Sequence, residues 1–360
     1  MADLQELLQY LMEVRGSDLY VKVGTVPHVR IDGRLHAAPF PPVELADSEA
    51  LALEIVPPGR AAELAEHGEL DYALSVSGVG RFRVHLYRQR GSLAIVFRRV
   101  IPGIPTWERL GLPPVVEKLA GEPHGLILVT GPAGSGKTTT VNALIDHINE
   151  HRAAHIITIE DPVEYLHTDK QSIISQREIG TDTHDPAAAL RRALRQGPDV
   201  LAISDLPDIE TVQAVLAAAS TGHLVIATLP TQSATETISR LLDFFAPYQH
   251  KQIRHLLASS LRAVISQRLL ERADGKGRTA AVEVLVNTPK VYDCILDADR
   301  QNALERILAE GEYHGMQTFD QALFALFKDG MVSLRDALSV ASQPEDLRIA
   351  LQQAGLAPAY

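Results

Sequence analysis

The stretch GPAGSGKTTT, residues 131–140, satisfies the spacing G-x-x-x-x-G-K-[ST] with Gly131, Gly136, Lys137 and Thr138. Glycines at these steps let backbone N–H groups close around phosphate oxygens, and the N-terminus of a following helix adds positive potential. The Lys137 ammonium can reach the terminal phosphates, and the Thr138 hydroxyl can ligate Mg²⁺. Two further stretches end in carboxylates. HIITIEDPVEYLH, 155–167, delivers Glu160, Asp161 and Glu164, while GPDVLAISDLPD, 197–208, runs an apolar segment into Ser204 and Asp205. Carboxylates at strand ends beside a phosphate loop hold Mg²⁺ through water or polarise an attacking water. The loop alone leaves kinase, GTPase and ATPase chemistry open. The guanine-reading pattern N-K-x-D does not occur, which disfavours GTP.

These groups need a scaffold that ends several strands at one edge. GLILVTG (125–131), HIITIED (155–161), DVLAIS (199–204), HLVIATL (223–229) and AAVEVLV (280–286) are apolar runs separated by helical stretches. That alternation predicts a largely parallel sheet covered on both faces. Directly after the loop, Val141, Leu144, Ile145 and Ile148 form one apolar helix face. Upstream the pattern differs. Leu4, Leu7, Leu8, Leu11 and Met12 mark an amphipathic helix. Alternating runs follow at 19–24, at 28–35 with Asp32-Gly33 as a turn, and at 71–90, with helices near 47–66. Between the two patterns, VIPGIPTWERLGLPP (100–114) holds four prolines and two glycines, the composition of a linker. The expected organisation is α/β throughout: an α+β domain over 1–99, a hinge over 100–114, a nucleotide domain over 115–345 and a tail over 346–360.

A net charge of -11 argues against a general nucleic-acid binder, because a phosphate backbone needs a dominant basic surface. Positive charge must therefore be local, and it is concentrated on one strand. Arg81, Arg83 and His85 alternate with Phe82, Val84 and Leu86, with Arg88, Arg90, Arg98 and Arg99 close behind. Such a cluster in an acidic chain calls for an anion, and arginines of this kind can act as fingers on phosphates. Cys294 is the single cysteine, so no internal disulfide or zinc ligand set is available and a reducing compartment is expected. The N-terminal stretch lacks the basic region of a secretory signal, and no apolar run approaches the roughly 18 residues of a membrane span.

Beyond the phosphate loop, the sequence resembles the PilT-like retraction ATPases of type IV pili, within the secretion-ATPase superfamily. The resemblance is carried by SDLYVKVG (17–24), RFRVHLYRQRG (81–91), TIEDPVEYLH, ALRQGPDV (193–200), TGHLVIATL (221–229), SQRLLERADGKGRTAAVEVLVNTP (266–289) and HGMQTFDQAL (314–323), in family order. It implies an N-terminal PAS-like domain, a C-terminal RecA-like P-loop domain and a homohexameric ring with ATP and Mg²⁺ between subunits. The ring would work in the cytoplasm at the inner face of the cell membrane, against a pilus platform protein and alongside a paralogous pilus ATPase, driving twitching motility. Carried over by position, Gly131, Pro132, Ala133, Gly134, Ser135, Gly136, Lys137, Thr138 and Thr139 would cradle ATP. Arg81, Arg83 and Arg98 would contact it, and Thr138, Glu164 and Asp205 would hold the metal. Glu164, Asp205 and His223 would be catalytic, His223 as the first residue of the family's histidine box.

The chain departs from the family pattern at three motifs. Where the family reads D-P-D-V-I-L-V-G-E-M-R-D, Asp205 replaces the catalytic glutamate, Ser204 a glycine and Pro207 an arginine. An aspartate is one methylene shorter, which withdraws the carboxylate by about 1 Å and can slow turnover on the order of a hundredfold. Pro230 stands where T-L-H-T-N-S-A has the second histidine, and VYDCILDADRQNAL (291–304) has lost most of the retraction-associated pattern. The expectation is an ATPase of weakened hydrolysis; the competing expectation is a nucleotide-responsive accessory subunit that binds ATP with little turnover.

Overall fold

The computed structural model describes residues 3–31, 33–100 and 103–356, apart from the side chains of Glu108 and Gln301. Two compact units result. The first comprises Met1–Gly103, Asp161–Leu166 and Gly180–Asp182; the second comprises Ile104–Glu160, His167–Ile179 and Thr183–Tyr360.

The first unit opens with helix Leu4–Glu13, held at its start by a reciprocal capping box between Asp3 and Glu6. Its buried leucines, Leu4, Leu7, Leu8 and Leu11, join the core of a six-stranded sheet. The strands are β1 (Asp18–Lys22), β2 (His28–Ile31), β3 (Arg34–Ala37), β4 (Glu69–Val76), β5 (Gly80–Gln89) and β6 (Ser92–Arg99). They are ordered β3-β2-β1-β6-β5-β4 with every pairing antiparallel. The β2–β3 turn includes Gly33 at φ 80°; Asp32, its expected partner, lies outside the described residues. Along β5, Phe82, Val84 and Leu86 are fully buried, while Arg81, Arg83 and His85 take the opposite face. β6 is absent from the expected strands because its run LAIVF does not alternate. It is central, flanked by β1 and β5, and buries Leu93, Ala94 and Ile95 in succession.

The second unit holds β7 (Gly125–Thr130), β8 (His155–Glu160), β9 (Ile173–Glu178), β10 (Val200–Ile203), β11 (Leu224–Leu229), β12 (Leu261–Glu271) and β13 (Arg278–Val286). The order is β13-β12-β7-β11-β10-β8-β9, parallel except for the β12–β13 pair. Successive residues of β7 feed opposite faces. Leu126 and Leu128 pack with Leu216 and Leu257, whereas Ile127 and Val129 pack with Leu144 and Ile148 of helix Lys137–His151. Such double-sided burial is what makes these strands continuously apolar. β9 and β12 break that rule. β12 reads LRAVISQRLLE and β9 reads IISQRE, and their polar residues hide them from an apolar-run search.

Most of the proline-rich stretch packs as part of the second unit. Residues 107–110 are helical, and Trp107 Nε1 donates to His147 Nδ1 at 2.9 Å on helix Lys137–His151. Ile101 and Pro102, within the expected hinge, lie outside the described residues. The expected tail from 346 is corrected: helix Pro344–Gln353 buries Leu347 and Leu351, an i,i+4 apolar pair, against Phe319, Leu323 and Ala337. Among the described residues, no helix is long and apolar enough to cross a membrane.

One buried amide organises the return of the chain toward β9. Asn149, fully buried, donates through Nδ2 to the Thr168 carbonyl at 2.8 Å and accepts the Lys170 N–H at 3.0 Å through Oδ1. Asn149→Ala leaves both backbone groups without these partners and is expected to lower unfolding stability by about 1–3 kcal/mol, measured by denaturant titration. A change within a few tenths of a kcal/mol would refute this role.

Candidate active site

The loop between β7 and helix Lys137–His151 is closed by sterics as well as by hydrogen bonds. Gly131 has φ 144°, and a Cβ there would meet the Gln267 carbonyl at 2.4 Å and Ser135 Oγ at 2.5 Å. Gly134 and Gly136 occupy left-handed conformations. Lys137 Nζ donates across the loop to the carbonyls of Gly131, at 2.7 Å, and Pro132, at 3.0 Å. Burial pushes the Lys137 ammonium below its ordinary pKa, and the Asp205 carboxylate opposes that shift. Lysine and aspartate therefore sense each other across the mouth of the loop. Ser135 Oγ is buried with no hydrogen-bond partner, an orphan of the kind that a phosphate oxygen satisfies. An anion of phosphate size suits this cradle of glycine backbone, helix N-terminus and lysine.

The parallel register brings other strand ends to the same edge. Leu229 at the end of β11 aligns with Thr130 at the end of β7, and Ile203 of β10 aligns with Ala227 and Ile159. Asp205, two residues beyond β10, is exposed and accepts the Leu206 N–H at 2.9 Å. Thr228 Oγ1 donates to the Ser204 carbonyl, tying the ends of β10 and β11 together. Beneath the loop, Thr138, Asn142, Thr158, Glu160, Ser204 and Thr228 supply the polar lining of a cavity of about 20 Å³. That volume accommodates about one water.

Glu160 is the acid that this cavity holds. Its side chain is buried and accepts from Thr158 Oγ1 at 2.6 Å and Gln176 Nε2 at 3.0 Å. Gln176 also accepts the His167 N–H at 2.9 Å, and His167 Nε2 lies 2.7 Å from Asn142 Oδ1. Asn142 Nδ2 in turn donates to the Thr138 carbonyl at 2.9 Å. Because Asn142 uses its amide hydrogens on Thr138, its oxygen faces the imidazole, and the His167 proton sits on Nε2. Burial holds His167 neutral, with its pKa pushed down to about 4. Sequence reading placed Glu160 among the strand-end acids but gave the principal role to Glu164. The overlooked signal is a charged residue closing a strand whose preceding four positions are all buried.

The remaining expected residues fall elsewhere. Glu164 belongs to Asp161–Leu166, a segment that packs within the first unit. There Arg81 Nε donates to the Val163 carbonyl at 3.1 Å, and Glu164 lies close enough to Arg98 to stabilise its guanidinium. Arg98 also pairs with buried Asp18 at 2.8 Å, and Arg83 lies 3.6 Å from Asp71. The structure thus gathers Arg81, Arg98 and Glu164 in the first unit, and Lys137, Thr138 and Asp205 in the second. Among the described residues, no cluster of three or more His, Cys, Asp or Glu forms a ready-made metal site. A hydroxyl such as Thr138 with nearby carboxylates suits Mg²⁺, which keeps several waters and shares phosphate oxygens.

Comparison with known proteins agrees with this architecture. Residues 113–338 match the family model for type II/IV secretion system proteins. Two relatives from Pseudomonas aeruginosa match nearly end to end. The type IV pilus ATPase PilU is 37% identical, covering 97% of this chain and 91% of its own. The type IV pilus retraction ATPase PilT is 38% identical, covering 96% and 99%. A crystal structure of the pilus retraction motor PilT with bound ADP superposes with a TM-score of 0.90 at 40% identity, covering 97% of this chain and all of that one. The chain belongs to the PilT-like branch of the type II/IV secretion system protein family.

Within this PilT-like chain the histidine assignment requires correction. His223 precedes β11 at the strand's N-terminal end, where its carbonyl accepts from Gly125 and its Nδ1 lies 3.1 Å from the Ala218 carbonyl. With a rise of about 3.3 Å per residue, six residues of strand separate it by about 20 Å from the phosphate-loop edge. His223 is therefore not part of the loop cluster. Pro230, which follows Leu229, stands at the correct end, so the histidine missing from this chain is the one whose position adjoins the loop.

The neutral state of His167 has a consequence for acid stability. A folded pKa near 4 against an ordinary 6.5 means that its contribution is fully present above pH 6.5 and is lost as pH falls toward 4. His167→Gln, which cannot titrate, should narrow its stability difference from wild type across this window by up to about 3 kcal/mol. A pH-independent difference in chemical denaturation would exclude this account.

Proposed function

We propose that this chain is the ATP-hydrolysing subunit of a hexameric pilus-retraction motor that works with Mg²⁺ at the cytoplasmic face of the inner membrane. A membrane-embedded platform protein, and a paralogous ATPase in the same machine, are the partners this reading implies. The observation that carries it is the closed phosphate cradle facing Asp205, in a chain similar to PilT over nearly its whole length. Backbone groups of residues 131–139 would wrap the phosphates, and Lys137, withdrawn from its carbonyl partners, would pair with the terminal ones. Thr138, Asp205 and Glu164 would hold Mg²⁺, which supplies charge neutralisation at the leaving oxygens. Asp205 would orient the attacking water. Arg81, together with Arg83 and Arg98 after these exchange Asp71 and Asp18 for phosphate, would meet the anion.

Asp205 and Pro230 favour a second reading beside this one. Both follow strands that end at the nucleotide edge, and both remove reach or a polar group there. Binding would survive while turnover falls, giving an accessory subunit whose assembly responds to ATP.

Phosphate release by the purified full-length chain, followed over a range of protein concentrations, tests both. Lys137→Ala should abolish turnover, and Asp205→Glu should raise it by as much as about a hundredfold. Equal rates for wild type and Lys137→Ala would overturn the motor reading. ATP binding without turnover, unresponsive to Asp205→Glu, would establish the accessory one.

A further inference from the structure

Behind the phosphate loop, a row of buried polar side chains crosses three strands. Glu283 of β13 pairs in register with Ser266 of β12, and Ser266 pairs with Thr130 of β7, the residue immediately before Gly131. Directly paired residues project to the same face of a sheet. Thr130 and Ser266 are fully buried and share a hydrogen bond of 2.8 Å between their hydroxyls; Glu283 is 7% exposed. The row ends in a carboxylate that the proposed chemistry does not use.

Glu283 joins two helix starts. Its Oε1 accepts the Ala234 N–H at 2.8 Å, at the first residue of helix Ala234–Asp243. The backbone N–H of Phe319, the first residue of helix Phe319–Lys328, also acts on it, lowering its pKa. Both helices direct positive potential at the same carboxylate. The segment fastened through Ala234 is 230–233, the continuation of β11 at the nucleotide edge. Within it Gln232 lines a cavity of about 530 Å³ with Pro132, Ser135, Arg268 and Arg278 on the outer side of the phosphate loop. Arg268, stacked 4.0 Å over the Phe319 ring, is the cation facing Glu283 from β12.

We propose that Glu283 is a positioning residue for ATP turnover, its ionised carboxylate fastening segment 230–233, which lines a shared cavity with Pro132 and Ser135 of the phosphate loop. This rests on the ATPase reading above and adds a group that sets the geometry without touching nucleotide. The charge is the informative part. Burial pushes the carboxyl up to about 6, although both N–H donors and Arg268 pull it down; Glu305, on helix Leu304–Ala309, is the facing acid and pushes it up. Asp320 acts on Arg268 from the far side. A glutamine could still accept the Ala234 N–H through its single carbonyl oxygen without this penalty. A carboxylate raised in this way binds its proton more tightly in the folded chain. Its stability penalty is therefore present above about pH 6 and disappears as pH falls toward 4.5.

Turnover and thermal melting of full-length wild type, Glu283→Gln and Glu283→Asp, measured from about pH 5 to about pH 8, test the assignment. Wild-type turnover should fall as pH drops through about 6. Glu283→Gln should lack that step, run roughly tenfold below the wild-type alkaline plateau with an unchanged KM for ATP, and yet melt higher than wild type at alkaline pH. Glu283→Asp should keep an acid step at reduced rate. Wild-type turnover with the same acid step in Glu283→Gln would overturn the proposal. So would a Glu283→Gln that turns over more slowly, keeps the step and melts lower, since that marks a merely structural group. Lys137→Ala assayed alongside separates failure of the ATPase reading, in which wild type itself shows no turnover dependent on Lys137.

Discussion

At Gly131 the backbone leaves β7 in a conformation that tolerates no Cβ, because the Gln267 carbonyl and Ser135 Oγ already occupy that space. The close approach ties the loop to β12 and explains why the strand beside β7 matters as much as the loop sequence. Gln267 presses its carbonyl against Gly131 and donates through Nε2 to Thr140 at 2.8 Å. Its neighbour Ser266 is bonded to Thr130. The loop is thus clamped before, at and after its turn by two consecutive residues of one strand. Rigid support of this kind lets backbone N–H groups stand ready for an anion without reorganising at the moment of reaction.

Electrostatically, the edge works by separating carboxylates of different exposure. Glu160 lies buried with two donors on one oxygen, and Asp205 lies exposed where its charge reaches Lys137. A buried acid held by two donors is a fixed element, whereas an exposed acid at a strand end can follow a ligand. His167 extends the fixed part. By staying neutral it keeps a single proton arrangement from Asn142 to Thr138, so the helix N-terminus is located by side-chain hydrogen bonds in addition to its packing.

Much of this was legible in the sequence because the relevant strands are continuous apolar runs. β7, β8, β10 and β11 are buried on both faces and are filled mainly by hydrophobic residues. β12 was hidden for the reason that makes it useful. Ser266 and Gln267 are the polar groups that grip the loop, and their presence breaks the run that would have revealed the strand. β6 was hidden by the opposite feature, successive burial without alternation. At the site, motif spacing pointed to Lys137, Thr138 and Asp205, which the structure brings to one edge, because a P-loop fixes strand, turn and helix together. It misjudged His223, since a motif that spans a whole strand has two ends and only one of them faces the loop.

The departures from the family pattern acquire a physical unity from this geometry. Asp205 follows β10 and Pro230 follows β11, neighbouring strands paired from Val200 with Leu224 to Ile203 with Ala227, and the hydrogen bond from Thr228 to the Ser204 carbonyl joins their ends. Groups linked through one hydrogen bond and adjacent backbone are energetically coupled rather than independent. The phosphate loop, by contrast, lies between β7 and helix Lys137–His151 and is held from β12. One edge of the sheet is therefore divided between a cradle clamped by β12 and the joined ends of β10 and β11. On the proposed ATPase reading, a change in the second would alter the rate of chemistry while leaving the first able to seat a phosphate, the partition expected of a subunit in which nucleotide binding and nucleotide consumption are separately adjustable.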